Sequence, residues 1–291
     1  MPPFRGANGA VDPPRLPTTR TSEPDRIEPM PPDFTDIRYE TRSAAAWITL
    51  DRPREMNAMS FGLLDELSSA LARAAADDAV RAVVLTASGE KVFCAGADLK
   101  QVLEPRPAGE PDFLDVAART FDRLRKLPKP TIAVVNGLAL AGGLELVLAC
   151  DLVLAADVAR FGDAHANFGV FPGAGGAAVL PKRIGATRAK YLLFTGEHVG
   201  AGEMLAAGLV NQVVPAGDLA AAADALAAKI AAKSPLVLRR MKEVADAAQD
   251  QGRDAALALE LLTLRDHLRS RDLQEGLAAF REKRAPRFLG R

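Results

Sequence analysis

Between Ala45 and Ala156 the chain keeps returning to one pattern: a short apolar run, then small residues, then a segment with helical spacing. "AAWITLDRP" (Ala45–Pro53), "AVRAVVLTAS" (Ala79–Ser88), "TIAVVNG" (Thr131–Gly137) and "CDLVLAA" (Cys150–Ala156) read as buried strands, the first ending in a proline turn. Between them, "SFGLLDELSSALARAAADD" (Ser60–Asp78) carries Leu63, Leu64, Leu67 and Leu71 at helical spacing, with Ser60 as N-cap. "FLDVAARTFDRLRKL" (Phe113–Leu127) is a second helix, stopped by Pro128 and Pro130, and a short helix fits between the last two strands. Strand and helix in alternation imply α/β layering. After Gly185 the chain is mostly helical, with segments at Thr187–Phe194, Ala201–Ala207, Asp218–Ala232, Leu236–Ala248 and Asp254–Ser270. The expected organisation is therefore an α/β core over residues 34–195 and a helical region over 196–291. Residues 1–33 hold nine of the twenty prolines and read as a disordered tail. Their acids and prolines count against a transit peptide.

Charge narrows the partners. Lys+Arg and Asp+Glu are equal at 37 each, so no net field draws nucleic acid or an anionic membrane. The longest apolar region, Val135 to Ala156, is broken by Asn136, a glycine pair, Glu145 and Asp151, and does not read as a membrane span. Cys94 and Cys150 are too few for a disulfide framework or a Cys-rich zinc site, and no His/Asp/Glu set has metal spacing. A reducing, cytoplasmic setting without a metal is expected.

Two stretches stand out: "FCAGADLKQ" (Phe93–Gln101), which matches neither strand nor helix, and "NGLALAGGLELVLACD" (Asn136–Asp151), where a small-residue turn and a glycine pair precede an apolar helix. Each follows a buried strand and is built of small residues, so the main chain can be approached closely. For the second stretch alone, close packing of helix on strand explains the glycines as well. Together, "AGAD" and "AGG" can each aim one N–H into a shared space, and two converging donors make an oxyanion hole. "PGAGGAAVLPKRIG" (Pro172–Gly185) lacks the spacing of a nucleotide loop and reads as a turn plus helix start. Ser60 and Ser88 lack the setting of a hydrolase nucleophile.

From about Ile37 onward the chain resembles the crotonase, or enoyl-CoA hydratase/isomerase, superfamily. Six stretches carry the resemblance in order: "LDRPREMNAMS", "FCAGADLK", "VNGLALAGGLELVLACD", "FGDAHANFGVFPGAGG", "GLVNQVVP" and "EGLAAFREKRAPRF". The resemblance implies a spiral of ββα units with C-terminal helices that assemble a homotrimer, or a hexamer as a dimer of trimers. It implies an acyl-CoA thioester substrate, with no cofactor beyond the coenzyme A that belongs to that substrate. The oxyanion donors fall on the N–H groups of Ala97 and Gly142. Coenzyme A contacts fall on Arg54, Met56, Ala58, Ala95, Asp98, Leu99 and Lys100, and on Phe280 and Lys283 near the C-terminus. Asp98 also reads as a residue that fixes its loop.

The resemblance places the first catalytic glutamate at Glu145, a charge otherwise odd within an apolar helix. Where hydratases carry a second glutamate this chain has His165; Asp163, two residues earlier, is out of register for a swap. Three readings stay open: His165 replaces the carboxylate as acid or base, since imidazole titrates near neutrality; it orients water while Glu145 moves the protons; or it is structural. Isomerisation leans on the missing carboxylate, so hydration of an enoyl-CoA in fatty-acid metabolism ranks first. Thioester hydrolysis, decarboxylation and a non-catalytic binding protein are the alternatives. His198, in a helix-entry segment, and His267, on a charged helical face, are read as structural.

Overall fold

The computed structural model describes residues 34–104, 107 and 109–291; the tail expected over 1–33 lies outside them. Ile37–Arg42 (β1) and Ala45–Leu50 (β2) pair antiparallel, Arg42 opposite Ala45, across a two-residue turn. That turn holds Ser43 and Ala44 at φ 47° and 61°, the left-handed geometry a tight hairpin needs. All six positions of β2 are buried, as in a strand covered on both faces. Ser60 then caps Phe61–Ala76 (α1): its Oγ accepts from the Leu63 N–H at 3.0 Å and donates to Asp36 at 2.8 Å. Leu63, Leu64, Leu67 and Leu71 are fully buried, each burial contributing about 1.5–3 kcal/mol.

Three repeats of a two-strand unit follow. Ala82–Ala87 (β3) is succeeded by Val92–Cys94 (β4), then Leu99–Val102 (α2) and Phe113–Arg125 (α3). Thr131–Val135 (β5) is succeeded by Leu138–Leu140 (β6) and Gly142–Leu148 (α4). Leu152–Ala156 (β7) is succeeded by Arg160–Gly162 (β8), a 3-10 turn at His165–Phe168 and Leu180–Ile184 (α5). The remaining elements are Ala186–Thr195 (α6), His198–Gly200 (β9), Ala201–Ala206 (α7), Gln212–Val214 (β10), Leu219–Ala231 (α8), Pro235–Ala248 (α9), Arg253–His267 (α10) and Arg271–Glu282 (α11). The region beyond 195 thus adds two short strands to its helices, and His198 lies on β9 rather than at a helix entry.

From β3 to β8 successive strands alternate between two sheets. The first, in the order β1-β2-β3-β5-β7-β10, is parallel from β2 onward; the second is β4-β6-β8-β9, with β4, β6 and β8 parallel. This is the α/β spiral of ββα units expected from sequence. Asn57, fully buried, ties the corner between β3 and β4 by donating to the carbonyls of Ser88 (3.1 Å) and Val92 (2.9 Å). Helix α8 packs on the first sheet, whereas α10 has no buried residue and leaves Leu257, Leu261 and Leu264 about half exposed. Among the described residues no helix is long and apolar enough to cross a membrane.

Candidate active site

Because β4, β6 and β8 are neighbouring parallel strands, the loops leaving their carboxyl ends emerge side by side. Those loops are 95–98, 141–142 and 163–165, so the topology alone gathers three separate stretches of sequence. Ligands of parallel sheets bind at that end. The first two loops touch: a Cβ built on Gly142 would stand 3.5 Å from the Gly96 Cα and 3.6 Å from the Ala97 nitrogen. Gly142 opens α4, so its N–H belongs to the first-turn donors that a helix leaves free. Bonds from Met59 N–H to Gly96 and from Asp98 N–H to Met59, both 2.8 Å, flank Ala97 and turn its own N–H to the other side. Ala141, at φ 48° and ψ −120°, is a strained non-glycine residue at the turn between them, a cost of about 1–3 kcal/mol.

The glycine pair divides its work. A Cβ on Gly143 would lie 2.0 Å from the Cys94 carbonyl oxygen, so that glycine serves the close approach of helix to strand. Gly142 faces the first loop. Packing bears on both glycines, since a Cβ on Gly142 would also lie 2.4 Å from Met59 Cε.

The stretch expected to hold coenzyme A is laced to the first loop. Ala95 N–H donates to Met56 at 3.1 Å, and Arg52 reaches the Ala58 carbonyl (2.6 Å), Asp36 (3.6 Å) and Asp98 (3.8 Å). Asp98 caps α2 by accepting from the Lys100 N–H at 3.3 Å, which fixes the loop. Arg54, Met56, Leu99 and Lys100 are exposed along this edge, with Ala58, Ala95 and Ala97 half-buried. Phe280 and Lys283 are exposed on α11 and at its end. The bonds of that helix run to the C-terminal tail and to Ser234, as when Asp272 accepts from Leu289 and Gly290; within one chain they do not join the glycine loops.

Glu145 is 3% exposed on α4, one turn past Gly142. Its Oε1 accepts two main-chain bonds, from Ala174 N–H at 2.7 Å and Gly176 N–H at 2.9 Å. Arg125 of α3 holds the same loop through the Ala174 carbonyl at 3.0 Å. His165 is half-buried, and its Nδ1 lies 2.9 Å from Asp163 Oδ1. Ala164, at φ 54°, folds the chain so that these two side chains meet and the His165 N–H reaches the Asp163 carbonyl at 2.7 Å. Burial pulls the imidazole's pKa down, but the bond and charge of Asp163, with the charge of Glu145, outweigh it and raise the value above that of an ordinary histidine. Both cysteines are buried, and burial pushes their thiols up to about 12, so neither supplies a thiolate at neutral pH. Among the described residues no group of three His, Cys, Asp or Glu side chains is placed to hold a metal.

Main-chain amides in touching loops, a carboxyl group on a fixed helix and an imidazole on the neighbouring loop are groups of the kind that stabilise an oxyanion and move protons beside it. Sequence reasoning missed three supports: Asp163 beside His165, the amides of 174 and 176 behind Glu145, and Arg52 beneath the exposed edge. The small residues of "PGAGG" were the available signal for the second, since they free main-chain amides.

The sequence model of the enoyl-CoA hydratase/isomerase family matches residues 40–291. The short-chain-enoyl-CoA hydratase of Clostridium acetobutylicum is 34% identical over 252 residues, covering 87% of this chain and 97% of the relative. The crotonyl-CoA hydratase of Syntrophomonas wolfei is 33% identical over 258 residues, 89% of this chain and 99% of that one. Among solved structures, the crystal structure of an enoyl-CoA hydratase from Bacillus anthracis superposes with a TM-score of 0.82 at 37% identity, covering 88% of this chain and 100% of that chain.

Proposed function

The chain belongs to the enoyl-CoA hydratase/isomerase family, and we propose that within it the protein adds water reversibly to a trans-2-enoyl-CoA. The observation that carries this reading is Glu145, buried and clamped by two amides, one helical turn from the Gly142 donor. The thioester carbonyl accepts from Ala97 and Gly142. Water attacks Cβ as His165 takes its proton, the π electrons move onto the carbonyl oxygen, and Glu145 delivers a proton to Cα as the enolate collapses, the proton held by His165 then replacing it on Glu145 so that the pair is restored. Arg54, Met56, Ala58, Ala95, Leu99 and Lys100 line the edge along which the coenzyme lies, with Asp98 holding its loop. Phe280 and Lys283 reach it from a neighbouring copy, which also covers the apolar face of α10 in a trimer or dimer of trimers. A single-chain mass in solution would remove that part. The reaction is placed in the cytoplasm.

An imidazole paired to a carboxylate beside two amide donors also suits water attack on the thioester carbonyl, and hydrolysis is the second reading. One assay separates them. Loss of the conjugated enoyl-thioester absorbance, across short, long, branched and aromatic 2-enoyl-CoAs, is expected without release of free thiol. Thiol release would make the protein a hydrolase, and no change in either signal would overturn both readings.

A further inference from the structure

Asp163 is 1% exposed, its Oδ1 is bonded to His165, and its Oδ2 has no hydrogen-bond partner among the described residues. A buried carboxylate oxygen left without a partner is costly, on the order of 1–3 kcal/mol. It also stands against the loop that clamps Glu145: a Cβ on Gly176 would fall 2.4 Å from Asp163 Oδ2, while the Gly176 N–H donates to Glu145. A residue that only filled space here would be apolar.

We propose that Asp163 is a positioning residue that holds the proton on His165 Nδ1 and thereby leaves Nε2 as the basic nitrogen presented to water. This rests on the assignment of His165 as the base. As Nε2 takes the water proton, the oxygen bonds Cβ and the ring becomes an imidazolium. Asp163 stays ionised and stabilises that cation through the Nδ1–H bond, as the buried aspartate of a serine protease does for its histidine. The charges acting on the ring are Asp163 from its own loop and Glu145 from α4. Helix α6, packed against His165–Phe168, turns Ala189 and Leu192 inward and leaves Arg188 and Lys190 exposed. The sign follows: with Asp163 present the ring gives up its proton at higher pH, so the acid limb of kcat/KM, which reports the free enzyme, lies above that of an ordinary histidine. Without that charge the limb moves to lower pH.

The test compares wild type, D163N, H165N and the double variant on crotonyl-CoA. D163N is expected to lower kcat about 10²-fold with KM little changed, to move the acid limb down, and to cost nothing further in the H165N background. An equal loss in both backgrounds, or an unmoved limb, would overturn the positioning role while leaving His165 as base. Wild-type kcat in H165N would overturn the base assignment and the inference with it. Should D163N fail to fold, ¹⁵N resonances of the unaltered protein decide, since it has only three histidines. A ring carrying its neutral-state proton on Nδ1, with a raised pKa, supports the proposal; an Nε2–H tautomer refutes it.

Discussion

Glu145 stands on a helix whose seven residues are all buried and is gripped by two main-chain amides. His165 stands on a loop where Phe168 and Phe171 are 71% and 81% exposed, and its recorded ring partner is one side chain, Asp163. In the proposed reaction both move protons, yet one is placed by the fold and the other by a neighbour in sequence. The first half serves any reaction that passes through an oxyanion. The second can change residue type without disturbing a strand.

Substitutions on the two sides measure that asymmetry. Glu145→Gln keeps the shape and the amide clamp and removes the proton, so kcat is expected to fall by about 10²–10⁴-fold at every pH, with thioester binding retained by calorimetry. His165→Gln is expected to cost less, about 10²–10³-fold, and to abolish the acid limb set by the imidazole. An E145Q enzyme of full activity would sink the assignment. The scaffold comparison is smaller in scale. Gly143→Ala forces a methyl against the Cys94 carbonyl and should destabilise by about 1–3 kcal/mol or more, lowering the melting temperature. Gly173→Ala on the loop meets nothing within 4 Å and should stay within about 0.5 kcal/mol of wild type. Equal melting temperatures for the two would erase the contrast.

The sequence made the scaffold readable where burial imposes a pattern. The apolar runs of β2, β3, β5 and β7 and the leucines of α1 announced themselves because both faces of a parallel sheet, and one face of a helix, must be covered. The second sheet did not, since β4, β6, β8 and β9 are three residues each, too short for any period to register. The β1–β2 turn was equally silent, because Ser43 and Ala44 take a conformation usually signalled by glycine or asparagine. At the site, Glu145 was legible as a charge in an apolar helix. Its clamp was not, because amides carry no letter of their own. The Asp163–His165 contact depends on the left-handed turn at Ala164, a residue whose identity gives no hint of it.

That clamp has a hereditary consequence. At residue 174 only proline deletes the donor to Glu145, because every other amino acid brings its own N–H; at 176 any side chain would press on Asp163 and Pro172. The half of the hold that comes from residue 174 is thus shielded from most coding changes and is passed on with the path of the backbone. The hold on His165 can be lost through one codon, which leaves this loop the easier place for a lineage to exchange one chemistry for another.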